Sequence, residues 1–330
     1  MTSEKLLTAG ASPHIRSGST TRRIMLDVII ALAPSLAAAA VIFGPRTLAV
    51  AAVTVGTCVL AEYLSRRVMK RDNTVGDLSA AVTGLILAFN LPSTIPLWMA
   101  AFGSVAAVVV VKQMFGGIGQ NFVNPALTAR IILMVSFPAA MTASWPGAFM
   151  WRSSADAVTS ATPLALMKDG GELPSLLNML FAKSGSLGEV CAFTLILGGV
   201  YLVIRRVISP VIPLCFIGTV AAAMFLYGLA SRDDAFTFMI YELLGGGLML
   251  GAVFMATDYA TSPVNTAGRI VFAVGCGLLT FVIRIFGGMT EGVSFAILIM
   301  NILVPHIERL TAPKPFGYIN EKKQKEASKA

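Results

Sequence analysis

Charge is scarce in this sequence. Only 13% of its residues are Asp, Glu, Lys or Arg, 56% are hydrophobic, and the mean hydropathy is +0.78. So few charges cannot cover the surface of a soluble domain. Cysteine is sparse as well: Cys58, Cys191, Cys215 and Cys276 are scattered, with no C-x-x-C pair. That excludes a zinc ribbon or an iron–sulfur cluster held by this chain alone. The two histidines, His14 and His306, are far apart, so no metal centre is expected. No glycine fingerprint sits between a strand and a helix, which argues against a dinucleotide site. The net charge of +8 comes without a basic patch interleaved with aromatics, so nucleic acid is not an expected partner. The polar residues 1–23 lack the short apolar core and small-residue site of a cleavable signal peptide.

What the sequence does have is long apolar runs. Several reach the roughly 18 residues that cross a hydrocarbon core, and none shows the alternation of a β-barrel. The chain reads as an all-α polytopic membrane protein with about ten transmembrane helices. The expected spans are Ile24–Phe43, Leu48–Leu64, Leu78–Asn90, Ile95–Met114, Ala126–Met141, Gly188–Ile204, Pro210–Leu229, Ile240–Ala256, Gly268–Phe286 and Val293–Val304. The third, which ends at Leu91-Pro92, and the glycine-rich eighth read as broken helices packed inside protein.

Arg66, Arg67, Lys70 and Arg71 follow the second span, and Arg205 and Arg206 follow the sixth. With these clusters in the cytoplasm, both termini are cytoplasmic and the central loop lies outside. Trp98, Trp145 and Trp151 then fall at outer segment ends, where an aromatic belt would sit. The expected organisation is a cytoplasmic N-terminal segment 1–24, a five-helix unit 25–141, an extracytoplasmic loop 142–187, a second five-helix unit 188–305 and a cytoplasmic tail 306–330. Asn124-Pro125-Ala126-Leu127-Thr128-Ala129-Arg130-Ile131 resembles Pro263-Val264-Asn265-Thr266-Ala267-Gly268-Arg269-Ile270. Five spans is an odd number, so two such units in tandem form an inverted repeat, which places broken helices near the midplane.

The central loop contains Asp156-Ala157-Val158-Thr159-Ser160-Ala161-Thr162-Pro163-Leu164. Pro163 disfavours helix at Thr162 itself. Small neighbours leave its hydroxyl open to modification, although most threonines in such loops are ordinary loop residues. Carboxylates near apolar segments are costly and point to function: Glu62, Asp77, Glu242, Asp258 and Glu291 are the candidates. They also have ordinary roles as helix caps or as partners of Arg130, Arg269 and Arg284. Asp258, at the broken eighth helix, is the first choice for an ion path.

The D-x-x-T-S-A-T-P-L segment resembles the flavinylation motif of the RnfD and NqrB membrane subunits of ion-translocating oxidoreductases. The family form has glycine where this chain has Ser160. Phe115–Leu127, Phe254–Asp258 and Glu291–Leu298 resemble further signatures of the family, in the same order, and the length favours the RnfD branch of the Rnf complex. The resemblance implies two inverted five-helix repeats similar to urea transporters. It implies FMN joined to Thr162 by a phosphoester, with Asp156, Thr159, Ser160 and Ala161 as motif partners. It also implies a noncovalent riboflavin near Asn121 and Asn124, whose alternative role is to cap the fifth helix. The implied activity is electron transfer in a multi-subunit bacterial inner-membrane complex, with ferredoxin:NAD+ oxidoreduction coupled to Na+ or H+ translocation. The implied partners are RnfA, RnfB, RnfC, RnfE and RnfG, a flavin transferase for maturation, and membrane lipid. A small-solute channel or secondary transporter would explain the repeat equally well, but not the threonine motif.

Overall fold

In the computed structural model, residues 19–142, 145–152, 161–169, 171, 173–231, 234–288 and 291–313 are described. They form helices and connecting segments, with no strand among the described residues. Five helices are long and apolar enough to cross a membrane: α1 Thr21–Phe43, α2 Arg46–Val68, α10 Val211–Ser231, α13 Thr266–Phe286 and α14 Val293–Thr311. The bent pair of α11 Ala235–Leu244 and α12 Leu248–Met255 makes a sixth if it is one span. Four apolar helices are shorter: α3 Ser79–Phe89, α4 Leu97–Gln113, α5 Pro125–Ser136 and α9 Ala192–Ile204. Between α5 and α9 lie the short α6 Pro138–Thr142, α7 Pro163–Asp169 and α8 Leu176–Phe181. The protein is a multi-pass membrane protein. Residues such as Val41, Leu60, Leu214 and Leu226 leave its sides apolar and exposed, as a lipid-facing surface requires.

Local chemistry sets the ends of the helices. Thr20 caps α1 through its side chain, and Asp234 caps α11 by accepting from Phe236 N and Thr237 N. Hydrogen bonds from Thr237 hold the Asp234 carboxyl below the usual carboxylate range. Gly44 turns the chain from α1 into α2 with φ +88, and a Cβ there would lie 2.8 Å from the Trp151 ring, so only glycine fits. Trp151 donates from Nε1 to Val41 O, and Phe149 N donates to Ile42 O, tying the central loop to this turn.

Several boundaries differ from the sequence expectation for identifiable reasons. The fifth span breaks at Phe137, where Pro138 prevents its continuation. The sixth begins at Ala192 because residues 187 and 188 pair with the end of α3 instead: Gly188 N donates to Phe89 O and Leu187 N to Leu91 O. A helix that stops inside a bundle must have its last carbonyls satisfied in this way. The eighth span starts earlier, at Ala235, and bends by 62° at Gly245-Gly246-Gly247. The tenth continues past residue 305 to Thr311, with Pro305 inside it. Trp98 and Trp151 are exposed, but Trp145 is buried and does not belong to a belt.

In the packing, α2 lies against α3 and α4, and α10 lies against α11 and α13. Across the molecule, α1 meets α9, and α5 meets α14.

Candidate functional site

Two buried clusters of charge lie at different depths, and α3 connects them. Ser79 begins α3 at one cluster and Asn90 ends it at the other, a rise of about 16 Å at 1.5 Å per residue.

The Asn90 cluster lies around the break between α11 and α12. Arg284, on α13 and 2% exposed, donates to Glu242 Oε2 at 3.0 Å, to Glu242 O at 2.6 Å and to Gly245 O at 3.2 Å. Lys183 Nζ donates to Leu244 O. The free carbonyls at the end of α11 carry the negative end of its dipole, and these cations satisfy them. Arg130, on α5, donates to Asn90 Oδ1 at 2.9 Å and pairs with Glu291. Ser186 Oγ donates to Glu189 Oε1 at 2.6 Å. Three cations, Arg130, Lys183 and Arg284, thus accompany three carboxylates, Glu189, Glu242 and Glu291, a balance that buried charge requires. The balance leaves donors over: Arg130 Nε and Arg284 Nε are buried without a hydrogen-bond partner among the described residues. Gly246 has φ +61, and a Cβ there would lie 2.8 Å from Arg284 Nη2 and 2.8 Å from Leu164 Cδ1.

Leu164 brings Thr162 to this cluster. It packs on Gly245 and Gly246, where the missing side chains leave room. Ser184 Oγ donates to Ala161 O at 3.1 Å, and Lys168 Nζ donates to Gly287 O at 3.0 Å, one on each side of the leucine. Thr162 is 6% exposed, and its Oγ1 accepts from Ala165 N at 3.3 Å, so it caps α7 with Pro163 as the first helical residue. The sequence leads one to expect an open hydroxyl; docking of Leu164 has buried it. Asp156, Thr159 and Ser160 lie outside the described residues.

The second cluster is built on Glu62 of α2, which is fully buried. Its carboxylate accepts from Thr74 Oγ1 at 2.8 Å, Gln113 Nε2 at 2.9 Å and Lys112 Nζ at 3.1 Å. The consecutive residues Lys112 and Gln113 lie in the second half of α4, which is wound as a π-helix, a local widening often found at functional sites. Lys112 also donates to Ser79 Oγ at 2.6 Å, and Ser79 in turn donates to Asp77 Oδ1 at 2.5 Å. Lys112 forms part of the wall of a cavity of about 320 Å³ whose other polar groups include Ser79, Asn121, Asn124, Thr257 and Asp258. Ile24, Val28, Ile86, Leu202 and Phe254 give it an apolar lining.

The candidates from sequence divide between these places. Asn124 and Asn121 both line the cavity. Asn124 is the cap of α5, accepting from Ala126 N and Leu127 N, and its amide donates to Met255 O at 3.3 Å. Asn121 donates to Val123 O at 3.1 Å, within its own loop. Asp258 accepts from Thr261 Oγ1 at 3.0 Å on the cavity wall. Of the proposed arginine partners, Arg130 and Arg284 take Glu291 and Glu242, whereas Arg269 donates to Pro263 O. Sequence reasoning missed Lys112, Lys183 and Glu189. One available signal was a lysine inside an apolar helix, at position 112, and another was a Lys–Glu pair six residues apart around Gly185 and Gly188.

Comparison with known proteins places this arrangement in context. The sequence profile of the NQR2, RnfD, RnfE family matches residues 8–317. Over 326 residues the chain is 45% identical to a subunit of the Na(+)-translocating ferredoxin:NAD(+) oxidoreductase complex of Acetobacterium woodii, covering 97% of this chain and 98% of that protein. It is 38% identical to a subunit of the proton-translocating ferredoxin:NAD(+) oxidoreductase complex of Clostridium ljungdahlii, covering 95% and 97%. With a subunit of the ion-translocating oxidoreductase complex of Escherichia coli O7:K1 it shares 35% identity, covering 93% and 97%. With a family profile matched over nearly its whole length and these three relatives all subunits of ion-translocating oxidoreductase complexes, the chain belongs to the NQR2, RnfD, RnfE family.

Proposed function

We propose that this chain is the membrane electron carrier of an Rnf-type complex, with FMN joined to Thr162 by a phosphoester. In this reading it passes electrons between partner subunits and couples ferredoxin:NAD+ oxidoreduction to movement of Na+ or H+. The first two relatives named above differ in the ion, Na+ in one and protons in the other, and the proposal covers both. The observation that carries it is the seating of Leu164, two residues after Thr162, against a charge-balanced cluster in which two buried donors have no partner among the described residues. Arg130 Nε and Arg284 Nε are donors of the kind that isoalloxazine, with its carbonyl oxygens and ring nitrogens, accepts from. When bound, FMN supplies chemistry in one- and two-electron steps. The chain's own part is to orient the segment and to place positive charge beside it.

The second cofactor of the proposal is a noncovalent riboflavin in the cavity beside Lys112. An apolar cavity of this size with a few convergent polar groups suits a small flat ligand. Because Asn124 is committed to its cap, Asn121 and Lys112 are the polar side chains we assign to the ring, and Asp258 remains the proposed ion-path residue. The proposed partners are the other Rnf subunits and a flavin transferase.

The proposed architecture is two inverted five-helix repeats, α1–α5 and α9–α14, with α11 and α12 as one broken member. It is supported by the meetings of α1 with α9 and of α5 with α14, since helices related by a two-fold axis meet across it. With Arg66, Arg67, Lys70 and Arg71 on the cytoplasmic side, the segment bearing Thr162 faces the extracytoplasmic side.

The test is flavin fluorescence in a denaturing gel, from cells that also make the transferase. A fluorescent band in wild type that is absent in Thr162→Ala is the expected result. A dark wild-type band, with the transferase active on another substrate, removes the proposal and leaves a solute channel or transporter as the better reading.

A further inference from the structure

We infer that the flavin is attached to Thr162 before the 161–169 segment docks, and that docking then closes the site to the transferase. The inference rests on the proposed phosphoester at Thr162. Attachment transfers a flavin phosphate to the threonine from an activated donor, a flavin dinucleotide. Thr162 Oγ1 forms a bond to the phosphorus nearer the riboflavin. The phosphoanhydride bond breaks, the nucleoside monophosphate leaves with the bond's electrons, and the hydroxyl proton passes to a base of the transferase. The attacking oxygen must approach in line with the leaving group, with a second protein closed around both.

The docked conformation offers no such approach. Thr162 is 6% exposed, and Pro163 and Leu164, the next two residues, are buried as well. One of the two lone pairs of Thr162 Oγ1 is taken up by Ala165 N. Three further contacts hold the segment down: Ser184 on Ala161 O, Lys168 on Gly287 O and Leu164 on Gly245 and Gly246. All three join the segment to parts of the chain that follow it in sequence, at residues 184, 245–246 and 287. A segment emerging from synthesis has none of them yet. The substrate of the transferase is therefore the chain before its second half has packed, or a form from which the segment has lifted.

The experiment uses the full chain, translated into lipid nanodiscs whose two faces are both open to the transferase. Purified transferase and flavin dinucleotide are either present throughout synthesis or added after translation is stopped, and covalent fluorescence is followed with time. Wild type should label fully in the first arm and at least about tenfold more slowly in the second. Leu164→Ala removes the main docking contact, and a large-to-small change at a buried leucine is worth at least about tenfold in the docking equilibrium. It should therefore restore fast labelling after synthesis. Ser184→Ala, which removes one hydrogen bond, should raise the late rate about fivefold. It serves as the reporter should Leu164→Ala fail to fold. Equal rates in both arms for wild type, or no acceleration in either variant, overturn the inference while leaving the covalent flavin in place. No labelling of wild type even during synthesis removes the phosphoester reading itself, and the order of events with it.

Discussion

The two buried clusters solve the same electrostatic problem with different reach. Around Glu62 every hydrogen-bond partner among the described residues comes from α4 or from the turn into α3, so the hydrogen-bonded network is closed within the first 113 residues. Around Arg284 and Arg130 the groups come from α3, α5, α11, α13, the loop before α9 and the segment before α14. The first network shapes a cavity wall; the second holds together the two halves of the chain and seats the central loop on them. Buried charge that stays within one local unit can be exchanged for apolar groups, whereas charge that ties distant segments cannot be removed without freeing them.

The largest effect should therefore come from Arg284→Met. It strands the Glu242 carboxylate and leaves the carbonyls of Glu242 and Gly245 uncovered, which should cost about 3–5 kcal/mol. A thermal melt in detergent reads this as a large fall in Tm, and the same variant should release Leu164 from the Gly246 break. A melt close to that of wild type would mean that the halves are held by apolar packing alone.

The counterpart is the double variant Glu62→Met with Lys112→Met. Each single change also leaves one charge buried without its counter-ion, but Glu62 keeps Thr74 and Gln113 and Lys112 keeps Ser79, so each should cost less than Arg284→Met. Together they should cost only about 1–2 kcal/mol, the residue being lost partners for Thr74, Gln113 and Ser79. The check is the coupling term of the complete double-mutant cycle. If the double variant is as unstable as the sum of its singles, the first network is as widely tied as the second and the contrast fails.

Much of this division was legible in the sequence, and the limits are physical. Gly245-Gly246-Gly247 and Leu91-Pro92 announce broken helices, because backbone chemistry is local. Pro163 announces where α7 begins for the same reason. The pairing of charges is not local: Glu62 and Lys112 stand 50 residues apart, and Arg130 and Glu291 stand 161 apart. Sequence supplied Arg130 and Arg284 as available partners, but it could not choose among carboxylates. Lys183 and Glu189 escaped because polar loop residues normally face water, whereas here residues 186–190 turn inward to close the end of α3. The match of Asn124–Ile131 with Pro263–Ile270 places an asparagine before α5 and before α13, but only Asn124 caps its helix through its side chain, whereas Asn265 donates to Thr311 O.

A smaller effect sharpens the boundary between the clusters. Asn124 belongs to neither network, but it bridges the halves. It caps α5 and donates to Met255 O, and its backbone N donates to the Asn301 amide oxygen at 3.2 Å. Asn124→Ala should cost about 1–2 kcal/mol through the lost cap and the lost bridge. A melt that moves no more than a surface substitution would show that the bridge adds nothing to the cap.

Asn121 gives the smallest structural effect and the most informative ligand effect. Among the described residues its amide is bonded only to Val123 O, two residues along, so Asn121→Ala should leave stability within about 0.5 kcal/mol of wild type. If the cavity beside Lys112 holds the noncovalent flavin, the same variant loses one hydrogen bond to the ring and should bind it about fivefold more weakly. Gel filtration at decreasing protein concentration, followed by flavin extraction, measures that loss against covalent fluorescence from the same sample. Covalent flavin unchanged and extractable flavin reduced would assign one cofactor to each cluster. Both unchanged, with the fold intact, would remove Asn121 from the cavity's ligand set and leave Lys112 as the only polar side chain assigned to it.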